Sequence, residues 1–211
     1  MFTYFRMIDR PVSQDYNTLM DMTKKEKILN ESLALFAQHG FAHVSVSMIA
    51  KQAGVTKSLI FHHFENKEML WETVKEHFFS KYASHQMDIF ETEKDPIELI
   101  KKTMLYYFNF IRENPMIPRF FAYAHLENDE NCGKLDRPLV ERGGELIRQA
   151  QKDGIMRKDF NPVVLILNFI AVINQYFVAA CNFKHWDQAI YDDPDAFIND
   201  FINITIEGIR S

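Results

Sequence analysis

Residues 44–64, VSVSMIAKQAGVTKSLIFHHF, constrain the fold of this 211-residue chain more than any other stretch. Ile49, Ala50 and Ala53 share one face at helical spacing, and Ala50 is small enough to let a second helix approach closely. Gly54 follows, free to take the left-handed backbone conformation that a sharp corner between helices needs and that a Cβ resists. Val55 and Ile60 close the small core from the far side. Ser45 and Thr56 each precede a helical stretch, with hydroxyls placed to accept a backbone N–H of its first turn. The spacing predicts a helix-turn-helix, a unit whose second helix enters the DNA major groove with its N-terminal residues toward the base edges.

The flanks extend this pattern. Over residues 28–70 a first helix ends in Phe36, Gly40 and Phe41; Ile49-Ala50 and Ala53-Gly54-Val55 follow, then Phe61, Phe64 and Lys67 with an acid and an apolar residue after it. This segment resembles the N-terminal domain of the tetracycline-repressor (TetR) family, and it covers about a fifth of the chain. The resemblance implies an all-α protein of about nine helices, with a three-helix DNA-binding domain followed by a helical ligand-binding and dimerisation bundle. The domains expected are an extension or arm at 1–23, in which Met20 or Met22 offers an alternative start, the DNA domain at 24–70 and the bundle at 71–211. The implied function is a ligand-responsive transcriptional regulator, a repressor that binds a palindromic operator as a homodimer and leaves it when a small, mainly apolar effector binds. A helical dimeric adaptor or sensor without operator binding is the alternative, kept open by a departure at Phe61. Many members carry tyrosine there, whose hydroxyl reaches a phosphate. Ser58 also stands where a glycine is common.

The expected DNA-facing residues are Ser45, Thr56, Lys57, Ser58, Leu59, Phe61, His62 and Lys67. Thr56, Lys57 and Ser58 occupy the first turn of the second helix, where free N–H groups and the helix dipole favour an acceptor. Lys57 is the main base or phosphate contact, and Leu59 either touches a thymine methyl or packs. His62 points outward by spacing, His63 nearer the core, and Lys67 resembles a family phosphate contact. Lysines 24, 25, 27, 51, 57 and 67 face Glu26, Glu31, Glu65 and Glu68 across residues 24–70, so this segment is +2 while the whole chain is −5. The remainder is therefore acidic, as suits a protein that presents one end to phosphates.

Beyond residue 70 the helices lengthen. Trp71, Val74, Phe78 and Tyr82 form one stripe on a connecting helix expected at 67–90. Further helices are expected at 96–113, 118–127, 138–154, 162 to about 182 and 194–209. Tyr106, Tyr107, Phe110, Phe120, Tyr123, Asn174 and Tyr176 are the candidate effector pocket, rings with a few hydroxyl and amide groups. Phe169, Ile173, Phe197, Phe201 and Ile202 resemble the dimer interface that a palindromic operator requires. Plain core is the alternative for all of these positions.

Enzyme motifs have no counterpart here: there is no glycine-rich phosphate loop, no HExxH or CxxC, and no G-x-S-x-G. No cofactor and no metal site are expected, and Cys132 and Cys181 are too few and too distant in sequence for a disulfide framework. The apolar run 163–181 contains Asn168, Asn174 and Gln175 behind an Asn161-Pro162 start, which makes it a bundle helix in preference to a membrane span. The N-terminus lacks a continuous apolar core and a small-residue cleavage site, so a cytoplasmic location is expected.

Overall fold

The chain is described by a computed structural model over residues 23–127, 129, 131 and 133–211, so the expectations for the N-terminal extension before Thr23 and for Cys132 lie outside the described residues. Among the described residues there are eleven α-helices and no strand beyond an isolated bridge between Met156 and Arg210. They are α1 (Lys24–His39), α2 (Val46–Ala53), α3 (Lys57–Phe64), α4 (Lys67–Thr92), α5 (Pro96–Glu113), α6 (Met116–Leu126), α7 (Arg137–Lys152), α8 (Pro162–Val178), α9 (Ala180–Trp186), α10 (Gln188–Asp192) and α11 (Pro194–Ile209).

Local chemistry sets these boundaries. Thr23 and Glu26 form a reciprocal capping box at the start of α1, and Ser45 and Thr56 accept the Met48 and Leu59 amides at 3.3 and 3.2 Å. Gly54 ends α2 in the left-handed conformation, φ 64° and ψ 38°, where a Cβ would be strained. Asn161 caps α8 by accepting the Val163 amide at 2.9 Å, and Pro162 fits the first turn because that position lacks an intrahelical donor role.

The helices group into two compact units. The first takes the described residues of 23–80 and 113–132. Its centre is aromatic: Trp71 lies 4.4 Å from Phe120 and 5.0 Å edge-on from Phe36, between ring centroids, and Ile28, Leu29, Ile49, Ile60, Leu70 and Val74 are buried in the same unit. Both Ala50 and Ala53 are buried, as the close approach of α2 and α3 requires. The second unit takes Lys81–Arg112 and Gly133–Ser211, and centres on Phe108, Tyr176 and Phe197, the last two stacked 4.0 Å apart.

Two expectations need correction. The boundary after residue 70 falls inside the continuous helix α4, and α6 belongs with the first unit, because its apolar face packs on α1 through Phe120. The helix expected from 162 to about 182 instead breaks at Ala179, φ −105° and ψ 21°, bending by 81° into α9. Asp187 then accepts the Ala189 amide and starts α10, so α9 carries helix beyond the expected end near 182 and α10 appears where no helix was expected. Among the described residues no single helix is long and apolar enough to cross a membrane; α8 and α9 meet that requirement only as a bent pair.

Candidate nucleic-acid interface and effector site

The first turn of α3 presents Lys57 and Ser58 to solvent, with Leu59 half-buried and Ile60 and Phe64 turned into the core. Thr56 uses its hydroxyl on the Leu59 amide and thereby fixes where this helix begins. Phe61 is 47 % exposed, which for a phenylalanine beside two histidines and a lysine marks a working surface more than a packing position. His62 is exposed as expected. His63, expected nearer the core, is exposed as well, its ring 5.4 Å from that of His62, because Ile60 and Phe64 alone take the inward face of this short helix. Ser45 is exposed with its hydroxyl on the Met48 amide. The exposed side of α3 therefore carries Lys57 and Ser58 at the helix N-terminus and Phe61 and His62 in the following turn, an arrangement suited to phosphates and base edges.

Lys67 is placed differently from the expectation of a phosphate contact. Its ammonium donates to the carbonyls of Phe41 at 2.9 Å and Val44 at 3.1 Å, and lies 4.0 Å from the centre of the Phe41 ring. The corner between α1 and α2 leaves these carbonyls outside any helix, and the lysine satisfies them. From the opposite side Glu127 accepts the amides of Phe41 and Ala42 at 3.2 and 3.4 Å. Gly40 sits between them with φ 76°; a Cβ there would lie 2.5 Å from Glu127 Oε1 and 2.9 Å from the Tyr123 ring. The lysine, the carboxylate and the glycine together hold the corner that carries α2 and α3. Sequence reading missed Glu127, since nothing local links it to a loop 86 residues earlier.

The candidate effector residues divide between the two units. Phe120 and Tyr123 belong to the first, Phe120 in the aromatic core and Tyr123 donating to the Gln38 carbonyl at 3.4 Å. Tyr106, Tyr107, Phe110, Asn174 and Tyr176 belong to the second. There Tyr82 stacks on Tyr106 at 5.4 Å and tilts against Phe110 at 5.2 Å, Tyr107 donates to Asn174 Oδ1 at 2.8 Å, and Gln86 donates to Thr103 at 3.0 Å. Burial pushes the Tyr82 and Tyr107 phenols above their ordinary range, so both stay neutral donors at physiological pH. Tyr176 is buried, and its hydroxyl donates to the Ile190 carbonyl at 3.0 Å, tying α8 to α10. Burial, then the charges of Asp193 and Asp195, raise that phenol to about 12.

The expected dimer residues also need sorting. Phe169, Ile173 and Ile202 are buried within their own unit, on the inward faces of α8 and α11, and Phe197 and Phe201 are half-buried. The exposed apolar residues of these helices are instead Val163, Val164 and Leu167, the last 62 % exposed, and Ile204, 70 % exposed. Hydrophobicity alone does not separate the two faces of a helix that is apolar nearly all round.

The model for bacterial regulatory proteins of the tetR family matches residues 28–74. The transcriptional regulator RutR of Escherichia coli K12 is 29 % identical over 196 residues, 89 % of this chain and 91 % of its own. YerO of Bacillus subtilis, an HTH-type transcriptional regulator, is 30 % identical over 125 residues; this spans 51 % of the chain but only 43 % of the relative. Among solved structures, AibR in complex with isovaleryl coenzyme A and operator DNA aligns at a TM-score of 0.62 and 20 % identity, covering 74 % of this chain and 86 % of that one.

Proposed function

We propose that this chain, which belongs to the tetR family of bacterial regulatory proteins, is a homodimeric repressor that binds a palindromic operator through α3 and releases it when a small, mainly apolar effector occupies the second unit. The observation that carries this reading is the exposed face of α3, where Lys57 and Ser58 in the first turn and Phe61 and His62 in the turn after it face solvent, while Ile60 and Phe64 are locked into the core. Two-fold pairing of such a helix is what a palindrome demands. The apolar strip of Val164, Leu167 and Ile204 supports a pairing face on α8 and α11. AibR, a protein of similar fold, is seen in complex with isovaleryl coenzyme A and operator DNA, which supports a ligand site beside a DNA-binding one in this fold.

The mechanism is a population shift. DNA favours one separation of the two α3 helices, and effector favours another, with α4 supplying residues to both units as the connecting element. By linkage, operator DNA must weaken effector binding by the factor by which effector weakens operator binding. The rings around Tyr82, Tyr106 and Phe110, with the neutral hydroxyl of Tyr107, suit an apolar ligand carrying one or two polar groups.

Lys57→Ala tests the reading. In competition binding it should erase discrimination between operator and random DNA by about tenfold, since a good base contact contributes about 1–3 kcal/mol of selectivity. Undiminished discrimination would remove α3 from sequence reading.

A further inference from the structure

The corner that holds the reading head also encloses a recess of about 180 Å³, lined by Phe41, Glu68, Trp71, Glu72, Glu127 and Asp129, all within the first unit. At about 30 Å³ per water in the liquid, this is room for roughly six waters or a ligand of similar size. Its walls combine two aromatic rings with four carboxylates. Their charges are only partly matched. Lys75, 2 % exposed, is shared by Glu72 at 2.8 Å and Asp129 at 2.5 Å, and Asp129 also accepts the Trp71 indole N–H at 2.8 Å. Glu127 is engaged by neutral amides, and Lys67 lies on the Phe41 ring with its protons on carbonyls. Among the described residues the Glu68 side chain has neither hydrogen bond nor ion pair, and it is exposed.

We propose that this recess binds a small organic ammonium ion, with its charge against Glu68 and Glu127 and its alkyl part against Phe41 and Trp71. The site is separate from the effector site of the second unit and does not rest on it. An anion is opposed by the carboxylates of Glu68 and Glu127. A neutral apolar molecule would leave the carboxylates unmatched. Calcium or magnesium needs six or more oxygens at close range, but Glu72 and Asp129 are bound to Lys75 and two of the six lining residues are aromatic. An ammonium on a short chain satisfies both parts, because its alkyl part packs against the rings while the carboxylates accept its protons.

The chain has two tryptophans, Trp71 and the 73 % exposed Trp186, so Trp186→Phe leaves Trp71 as the sole tryptophan. n-Butylammonium chloride titrated into this full-length variant should give a saturable change in emission at constant ionic strength. The Trp71 indole N–H resonance of the unaltered chain should move over the same concentration range. n-Butanol and sodium chloride should give no saturation. Glu68→Gln, at an exposed and unpartnered side chain, should keep the melting temperature and weaken the amine about fivefold. The proposal is overturned by the absence of saturation with the amine, by equal responses to amine and butanol, by saturation with magnesium chloride alone, or by unchanged amine affinity in Glu68→Gln.

Discussion

Replacing Lys67 with alanine separates two roles for one ammonium group. In the structure it donates at 2.9 and 3.1 Å to Phe41 and Val44 and covers the Phe41 ring at 4.0 Å. Hydrogen bonds from a charged donor contribute about 1.5–3 kcal/mol each at most, and partial exposure places this pair toward the lower end. The contact with the ring adds about 0.5–1 kcal/mol. Some of this returns because the Phe41 carbonyl also accepts the Val44 amide at 3.3 Å and water reaches the opened corner. A net loss of about 2 kcal/mol follows, or a melting temperature lower by about 4–8 °C at this chain length. Operator affinity should fall with it, since the corner carries α2 and α3. The salt dependence of DNA binding should keep its slope, because few counterions are released by a lysine already engaged inside the protein. Calorimetry and binding at several salt concentrations check both statements. An unchanged melting temperature with a slope reduced by about one would refute the reasoning and make Lys67 a phosphate contact. Lys67→Arg should recover part of the lost stability.

Phe61→Tyr should strengthen operator binding by about 0.5–1.5 kcal/mol without lowering the melting temperature, because the half-exposed ring has room for a hydroxyl to reach a phosphate; isothermal titration checks it. Tyr176→Phe removes the donation to Ile190 and should cost about 0.5–1.5 kcal/mol of stability in a denaturant melt, while leaving effector affinity nearly unchanged. Asp129 is held below the ordinary carboxylate range: burial opposes its charge, but donations from Lys75, Trp71 and the Asn131 amide outweigh that cost. Its stabilisation is therefore complete above the unfolded value of about 3.9 and is lost as pH falls through the lower folded value. Acid titration of Trp71 emission should show this loss below about pH 4, and Asp129→Asn should flatten it.

The helix-turn-helix was legible in the sequence because its determinants are local. Ala50, Ala53, Gly54 and Thr56 act on neighbours within a few residues, and each performs the role its spacing implies. Lys67 was legible as a position but not as a contact, since its partners lie 23 and 26 residues earlier in a loop whose path depends on Gly40 and Glu127. The recess was hidden for the same reason: Glu68 and Glu72 look like the solvated side of a helix until α6 brings Glu127 and Asp129 beside them. On α8 nearly every position is apolar, so Phe169 and Ile173 could not be told from Val164 and Leu167 by composition. The bend at Ala179 carries neither proline nor glycine and left no mark in the sequence.

Capture of the genomic DNA bound by the intact protein, followed by footprinting and measurement of mass on the recovered site, tests the central claim most directly. A small set of sites with two symmetric half-sites is expected, with two chains bound to each palindrome, and protection that weakens steeply with salt and, in a chain carrying Lys57→Ala, requires about tenfold more protein. Recovery of DNA without a common sequence, or full protection by a single chain, would contradict it.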